Sequence, residues 1–395
     1  MITSNLWARP VMPGSGTITT DIPFRLDRLP WGPFHWLLIV ALGVTWVLDG
    51  LEATVVGSIG PTLELPSTLG LSHARVGLAG TIYLAGAIAG ALVFGYLTDR
   101  LGRKRLFTVT LAIYLCGALA TACAWNFVSF AVFRFVTGLA IGGEYAAINS
   151  AIDELIPAWL RGRVDLIVNG TYWIGAAAGA AVTELLLNRQ EIPEWLGWRI
   201  AFGLGGLVGS AIIFARQYVP ESPRWLLTHG RVAEAETITT SIERRAARGA
   251  KLASVHERIT IDPRARIDIS VIIRTLLVKY RRRAVLGLVL IASQAFFYNG
   301  IAFTYPLVLH QFLNVPVSQT PRYMLYVALA NFLGPCCLGF LFDRIGRRVM
   351  IAATYSLAGV IIAGNELFAS PDITAGGQTL VWCAAFFFAS AAASA

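Results

Sequence analysis

Long apolar segments separated by short polar links run through most of the 395-residue chain. A membrane-spanning helix needs about 20 mostly apolar residues, and the pattern predicts ten such helices. Because most of the links are short, neighbouring helices are expected to be antiparallel. The predicted helices are Trp36–Ser58, Val76–Leu97, Leu106–Trp125, Val128–Ile152, Val164–Leu187, Trp198–Phe214, Val285–His310, Met324–Phe342, Val349–Phe368 and Gln378–Ala395.

The composition supports an integral membrane protein. Hydrophobic residues make up 56% of the chain, charged residues only 14%, and the mean hydropathy is +0.63. Soluble domains usually contain about 25% charged residues. The net charge of +9 could indicate a nucleic-acid partner, but the positive residues cluster between the apolar segments, as expected of membrane proteins. We therefore predict the lipid bilayer, and no nucleic acid, as a partner.

The basic residues also predict the orientation. Loops rich in Lys and Arg stay in the cytoplasm, and such loops follow the second, fourth and eighth predicted helices. A multi-pass protein of the cell membrane with a cytoplasmic N-terminus is expected. The residues concerned are Arg100, Arg103, Lys104, Arg105, Arg161, Arg163, Arg344, Arg347 and Arg348.

Four regions are expected along the chain. Residues 1–33 are polar and contain Pro and Gly without an apolar core, so they predict a flexible cytoplasmic tail and not a signal peptide. Residues 34–216 form a six-helix half, and residues 284–395 an incomplete half of about four helices. Residues 217–283 predict a cytoplasmic link. Its VAEAETITTSIERRAA stretch has helical spacing, which favours short helices over a disordered basic linker held at lipid headgroups.

A ten-residue motif occurs twice. GYLTDRLGRK at 95–104 returns as GFLFDRIGRR at 339–348, so Asp99 and Asp343 lie 244 residues apart. Two similar halves follow from this repeat. At the same offset the second half is shorter by two helices, and the chain ends within the apolar FFFASAAASA. A truncated form of a twelve-helix protein is therefore expected.

Both copies resemble the signature loop of the major facilitator superfamily. ELIPAWLRGR at 154–163 and VPESPRWL at 219–226 resemble motifs of its sugar-porter branch. The resemblance implies an all-α helical bundle that transports by alternating access, with its two halves rocking about a central site. It also implies that the Asp99 loop docks on an eleventh helix and the Asp343 loop on the fifth.

Residues at these helix ends are candidates for conformational gating. Gly95 would allow two helices to approach closely, and Asp99 could accept hydrogen bonds from Arg103 or Arg100. The alternative is that the basic residues only fix topology. The gating candidates are Gly95, Asp99, Arg100, Gly102, Arg103, Glu154, Arg161, Glu221, Arg224, Asp343, Arg344 and Arg347.

Charged residues inside the apolar segments are candidates for proton coupling. A charge at mid-membrane costs roughly 2.5–3.5 kcal/mol on an insertion scale. Asp49 and Glu52 lie three residues apart on one helix face, and the fourth helix carries Arg134 and Glu144. Either acid could pair with Arg134 and release it when protonated. The alternative is an ion pair that only fixes helix register.

Polar and aromatic residues on three helices are candidates for substrate binding. In SQAFFYNGIAFTYP, Gly300 and Pro306 should weaken the seventh helix, as in transporter cavities; the alternative is a kinked helix with aromatic packing. The pairs Gly86/Gly90 and Gly175/Gly179 indicate close helix contact instead. The binding candidates are Asn169, Tyr172, Trp173, Gln294, Tyr298, Asn299, Tyr305 and Asn331.

Enzyme chemistry finds no support in the sequence. The five cysteines lie in apolar segments without metal-ligand spacing, so we expect buried small hydrophobes and neither disulfide nor metal site. No cofactor is expected. The prediction is a secondary transporter for a small polar metabolite, sugar-like or an organic acid, coupled to protons. A transporter-derived sensor or receptor and a non-functional fragment are the alternatives. No oligomeric state is predicted.

Overall fold

Long helices dominate the computed structural model, which describes residues 17–187, 192–216, 219–249, 251–262, 269–368 and 374–393. The first part contains β1 (Ile18–Thr20), α1 (Ile22–Asp27), α2 (Pro33–Ser58), α3 (Gly60–Glu64), α4 (His73–Leu101), α5 (Arg103–Ala122), α6 (Phe127–Leu155), α7 (Arg161–Leu187) and α8 (Glu194–Arg216). The second part contains α9 (Pro223–Thr228), α10 (Val232–Ala247), β2 (Ile259–Ile261), α11 (Ile269–Arg274), a π-helical turn (Thr275–Lys279), α12 (Arg281–Gln311), a 3₁₀ turn (Val317–Gln319), α13 (Thr320–Ile345), α14 (Arg347–Phe368) and α15 (Ala375–Ala393).

The ten long helices confirm the predicted helices and the all-α membrane fold. They are α2, α4 to α8 and α12 to α15. Within the described residues, eight of them are long and apolar enough to cross a bilayer: α2, α4, α5, α6 and α12 to α15. The other two, α7 and α8, pack against α2. Several helices begin earlier than their apolar segments, as α12 does at Arg281 instead of Val285, because a helix can continue past the hydrocarbon layer.

Glycines bring the long helices of the first half into backbone contact. A Cβ atom on Gly90 of α4 would lie 1.9 Å from the carbonyl oxygen of Leu139 on α6, and one on Gly175 of α7 would lie 1.8 Å from that of Val47 on α2. Gly86 and Gly179 make similar close approaches, so both predicted glycine pairs are confirmed as tight contacts. Such contact is typical of membrane helices.

Two sequence expectations about small residues are wrong. A Cβ atom on Gly95 would meet its nearest neighbour, Ala146 Cβ, at an ordinary 3.8 Å, because α4 and α6 touch most closely nearer their middles. The cysteines are not buried: Cys116, Cys123, Cys336 and Cys337 are exposed and Cys383 is intermediate. Lipid is as apolar as a protein interior, so a cysteine on the lipid-facing side of a helix costs little.

The part of the N-terminal region that the structure describes is folded, which corrects the expectation of a flexible tail. β1 pairs antiparallel with β2, with Thr19 opposite Thr260. Ile22 of α1 and Leu29 just after it are each only 1% exposed, and both belong to an apolar cluster shared with α2, α6, α9 and α10. Burial of these side chains holds the segment in place. Residues 1–16 lie outside the described part.

Helices α10 and α12 test two predictions made from the sequence, a helix in the link between the halves and a weakened seventh helix. α10 covers the same residues as the VAEAETITTSIERRAA stretch, and its apolar side is buried at Ala235, Ile242 and Ala246. α12 continues through Gly300 and Pro306 without a break, so the expected weakening of this helix is wrong. Neighbouring groups can satisfy the backbone around a proline in a membrane helix.

Candidate functional site

A cavity of about 550 Å³ opens between α2, α6, α7, α12, α13 and α15. Its lining includes seven of the eight residues that the sequence suggested for substrate binding. They are Asn169, Tyr172, Trp173, Gln294, Tyr298, Asn299 and Asn331. The polar residues of α7, α12 and α13 therefore line one cavity. This is expected if polar residues occur in these apolar helices because they bind a common ligand.

Tyr305 does not line this cavity. Its side chain is 3% exposed, and its hydroxyl forms a 2.7 Å hydrogen bond with the Thr379 hydroxyl on α15. Tyr305 follows Tyr298 by seven residues, which places it about 10 Å further along α12 on the same face. The shared face was predicted correctly, but the cavity ends before that level.

Other lining residues were not predicted from the sequence. They are Trp46, Thr54, Tyr145, Asn149, Ala176, Ile291, Ala295, Ile301, Met324, Val327, Ala328, Phe386 and Ala393. Asn149 follows Tyr145 by one helical turn of α6, a spacing that places both on one face. That spacing was visible in the sequence, whereas the apolar positions carried no signal that distinguishes them from the core.

Four residues around the cavity carry buried polar atoms that lack a hydrogen-bond partner in the described part of the chain. Trp46 Nε1 is a donor, Asn169 Oδ1 and Asn331 Oδ1 are acceptors, and the Tyr298 hydroxyl can serve as either. Buried polar groups are normally hydrogen-bonded, so a polar occupant of the cavity would satisfy them. Within the described residues the lining contains no Asp, Glu, Lys or Arg.

A buried ion pair lies within the first half, outside the cavity lining. Arg134 of α6 bonds through Nη1 to Glu52 Oε1 of α2, and the two side chains are 0% and 2% exposed. The guanidinium carbon of Arg134 also lies 4.4 Å from the ring centroid of Tyr83 on α4. The sequence left open which acid pairs with Arg134, and the structure selects Glu52.

Asp49 has different partners. The Tyr83 hydroxyl donates to Asp49 Oδ1 at 2.9 Å, and the Tyr145 hydroxyl donates to Asp49 Oδ2. Asp49 and Glu144 line one small pocket, and Glu144 Oε1 accepts a 3.4 Å hydrogen bond from the Thr110 hydroxyl. The structure therefore gathers the four proton-coupling candidates in one buried region. Tyr83 and Tyr145 supply the hydrogen bonds to Asp49 in this region, a role that their sequence positions did not indicate.

At one end of the bundle, Arg103 occupies the centre of a polar network. Its Nη2 lies 2.5 Å from Glu154 Oε1 and 2.5 Å from the Ser150 hydroxyl. Glu221 Oε1 accepts hydrogen bonds from the backbone amides of Arg103, at 2.9 Å, and Lys104, at 3.4 Å. A carboxylate stabilises the start of a helix in this position. Three gating candidates, Arg103, Glu154 and Glu221, thus lie together.

Gly102 is required for this arrangement. Its φ is +87°, and a Cβ atom there would lie 2.7 Å from Glu221 Oε2. Left-handed backbone favours glycine. Asp99 contributes its carbonyl oxygen, which accepts a 2.9 Å hydrogen bond from Trp225 Nε1. The expected bond from Arg103 to the Asp99 side chain is wrong, because Arg103 turns towards Glu154.

The remaining gating candidates have separate surroundings. Arg161 pairs with Asp27, at 2.7 Å, Arg100 lies over the Tyr96 ring, and Arg344 lies near the Phe340 ring. Arg224 is exposed on α9. The side chains of Asp343 and Arg347 lie outside the described part, so their proposed roles stay predictions.

A helical membrane bundle with a central polar cavity is the architecture expected of a transporter of the major facilitator superfamily, and the comparisons with known proteins agree. The family model for the sugar (and other) transporter matches residues 50–395. The chain therefore belongs to that family of transporters.

Individual relatives differ in name and coverage. The niacin transporter NiaP of Acinetobacter baylyi is 32% identical over 333 residues, which are 84% of this chain and 72% of that protein. Myo-inositol transporter 2 of Schizosaccharomyces pombe is 29% identical, over 85% of this chain and 60% of that protein. A partially occluded, inward-open structure of the xylose transporter XylE of E. coli has a TM-score of 0.68 at 18% identity. It covers 91% of this chain and 84% of that structure, and it supports the fold alone.

Proposed function

We infer that this protein is a secondary active transporter that moves a small polar metabolite across the cell membrane by alternating access, coupled to protons. The observation that carries the inference is the position of the cavity next to the small pocket that contains the buried carboxyl group of Asp49, since Trp46 and Tyr145 line both. Ionisable groups inside a membrane protein are a common feature of proton pathways. The substrate would thus bind between the two halves, next to the carboxyl group of the first half that takes up the proton.

The cavity favours a substrate without net charge. Its amides and hydroxyls offer donors and acceptors, and the rings of Trp173, Tyr298 and Phe386 offer flat apolar surfaces. Sugars, polyols and heteroaromatic compounds fit this chemistry, and names of relatives include niacin and myo-inositol transporters. A carboxylate would lack a cationic partner among the described lining residues, so an organic acid would best enter together with its proton.

The orientation proposed from the basic loops places the Arg103 network in the cytoplasm. In that position Glu154 would tie α5 to α6, and Glu221 would tie α5 to the segment between the halves, in one conformation. Breaking and remaking such contacts can shift a two-state equilibrium. Helices α9 and α10 would lie on the same cytoplasmic side.

Uptake into proteoliposomes tests the function. Radiolabelled xylose, myo-inositol, nicotinamide and nicotinic acid would be offered with and without an inward proton gradient. We expect accumulation of at least one compound, dependent on the gradient. The substitutions Asp49→Asn and Glu52→Gln should abolish accumulation and leave exchange of internal for external substrate partly intact. Gradient-driven accumulation by the double variant would overturn proton coupling through these acids.

A matched control separates the site from the fold. Tyr305→Phe alters a buried tyrosine outside the cavity and should leave accumulation unchanged. Failure of the wild-type protein to move any of the four compounds, while it binds none of them, would overturn the proposed substrate class.

A further inference from the structure

Two aromatic side chains separate the cavity from Asp49. Trp46 and Tyr145 line both the 550 Å³ cavity and the small pocket that contains Asp49. Their rings stack with centroids 4.6 Å apart and an interplanar angle of 15°. This pair, here the Trp46–Tyr145 wall, is therefore in contact with the substrate volume on one side and with the carboxyl pocket on the other.

The hydroxyl of Tyr145 is committed to Asp49. It donates to Asp49 Oδ2, while Tyr83 donates to Oδ1. Asp49 is only 3% exposed, and a buried carboxylate needs such donors to remain ionised. A phenol has a single hydrogen to donate. The hydrogen of Tyr145 can thus serve Asp49 or an acceptor in the cavity, but not both at once.

Tyr83 provides a natural comparison. It bonds to the same carboxylate, but its ring lies against the Arg134 guanidinium and it is not part of the cavity lining. The two tyrosines therefore make equivalent bonds to Asp49 and differ in what else they touch. Tyr83 faces the ion pair, and Tyr145 faces the substrate volume.

Other charged or titratable groups near Asp49 lie on α2, α5, α6 and α7. Glu144 of α6 and Tyr114 of α5 line the same small pocket. Tyr172 of α7 lines the cavity and meets Trp46 edge-on at 6.4 Å. The Glu52–Arg134 pair completes the set. Tyr145 combines a lining position in the cavity with a hydrogen bond to Asp49.

We propose that Tyr145 is the positioning residue that couples occupancy of the cavity to the proton on Asp49. The proposal rests on the proposed function. When a carbonyl or hydroxyl oxygen of the occupant takes the Tyr145 hydrogen, Asp49 loses one of its two donors and takes up a proton from water. That proton leaves again when the cavity empties. Because such coupling is reciprocal, protonation of Asp49 also frees Tyr145 to bind the occupant.

A covalent occupant allows a test that does not need the natural substrate. Asn149 lines the cavity one turn after Tyr145, so Asn149→Cys in a background without the five native cysteines would be labelled with N-ethylmaleimide. The thiol sulfur forms a bond to a maleimide carbon and the thiol proton moves to the adjacent carbon, so the addition itself changes no net proton count. The maleimide carbonyls supply the acceptors.

The readout is proton uptake by weakly buffered protein near pH 7, followed with an indicator dye. We expect uptake on labelling in the parent, its loss in Tyr145→Phe and in Asp49→Asn, and its retention in Tyr305→Phe, which alters a buried tyrosine that bonds to Thr379 outside the cavity. Uptake in Tyr145→Phe equal to that of the parent, or equal loss in Tyr145→Phe and Tyr305→Phe, would overturn the proposal. No uptake in the parent would also overturn it. The proposed function then still stands if gradient-driven accumulation in proteoliposomes persists, and falls if that is absent too.

Discussion

Arg25 of α1 and Glu243 of α10 form a two-point ion pair, with Nε to Oε1 at 3.0 Å and Nη2 to Oε2 at 2.7 Å. Arg28 adds a third contact to the same carboxylate, at 2.7 Å. Fork-shaped pairs of this kind are stronger and more directional than single contacts. They join the N-terminal segment to the helical segment between the two halves.

This pair predicts release of the N-terminal segment in acid. The hydrogen bonds from Arg25 hold the pKa of Glu243 below its usual value of 4.5. A depressed carboxyl pKa contributes stability that is fully present above that usual value and is lost as the pH falls through the folded-state value. Nitroxide labels at Thr19 and Thr237 should therefore give one narrow distance near pH 7, and a broad distribution once the pH has fallen below the folded-state pKa of Glu243, which itself lies below 4.5.

A single substitution should reproduce the acid effect. Glu243→Gln should broaden the distance distribution near pH 7. Glu234→Gln, on the same helix, removes an exposed pair with Arg231 and serves as the control with an unchanged distance. A narrow distribution in Glu243→Gln would contradict the role of this pair.

Gly90 should be far less tolerant of a methyl group than Gly77 on the same helix. A Cβ atom on Gly90 would lie 1.9 Å from the Leu139 carbonyl oxygen, whereas one on Gly77 meets nothing within 4 Å. We expect Gly90→Ala to lower the free energy of unfolding by about 1–3 kcal/mol, since α4 and α6 must separate. Gly77→Ala should match or exceed wild-type stability. Thermal unfolding in detergent measures both, and equal melting temperatures would refute the close contact.

Removing the hydroxyl of Tyr298 should affect substrate binding, whereas removing that of Tyr305 should affect the stability of the protein. The Tyr298 hydroxyl lacks a partner in the described part of the chain and lines the cavity. Tyr298→Phe should therefore weaken substrate binding about tenfold, the equivalent of about 1.4 kcal/mol, with no loss of stability. Tyr305→Phe should lower stability by about 1 kcal/mol and leave KM unchanged. Uptake kinetics and thermal unfolding of the two purified variants test these expectations. A raised KM in Tyr305→Phe with an unchanged KM in Tyr298→Phe would show that the cavity is not the binding site.

The sequence predicts those features that depend on local pattern. Twenty apolar residues can only cross a bilayer as a helix, so the ten helices followed from the chain alone. Polar residues such as Gln294 and Asn331 break an apolar pattern, and they do line the cavity. Helical spacing also identified α10.

Features that depend on distant contacts were not predictable in this way. Thr19 and Thr260 pair across strands that are 241 residues apart, so nothing local marks the N-terminal segment as folded. Asp49 and Glu52 share a helix face, and only the rotation of α2 against α6 decides which of them meets Arg134. From the sequence alone, a tyrosine in an apolar helix is interpreted as a packing residue, even where its hydroxyl donates to a buried carboxylate.

The Glu52–Arg134 pair predicts different effects of single and double substitutions. Arg134 Nε and Nη2 have no hydrogen-bond partner in the described residues, so the pair is not fully satisfied. Glu52→Leu would leave the Arg134 charge buried and unpaired, and this substitution should lower the free energy of unfolding by about 3–5 kcal/mol.

Replacing both residues, with Glu52→Leu and Arg134→Met, removes two desolvated charges and restores apolar packing. The double variant should therefore unfold at or above the wild-type temperature. It should nevertheless fail to accumulate substrate, because no ionisable pair remains to respond to the proton gradient. Unfolding in detergent and gradient-driven uptake of the same preparations test both halves of this statement. A single variant as stable as the wild type would show that Arg134 is solvated, and accumulation by the double variant would show that coupling runs through other groups.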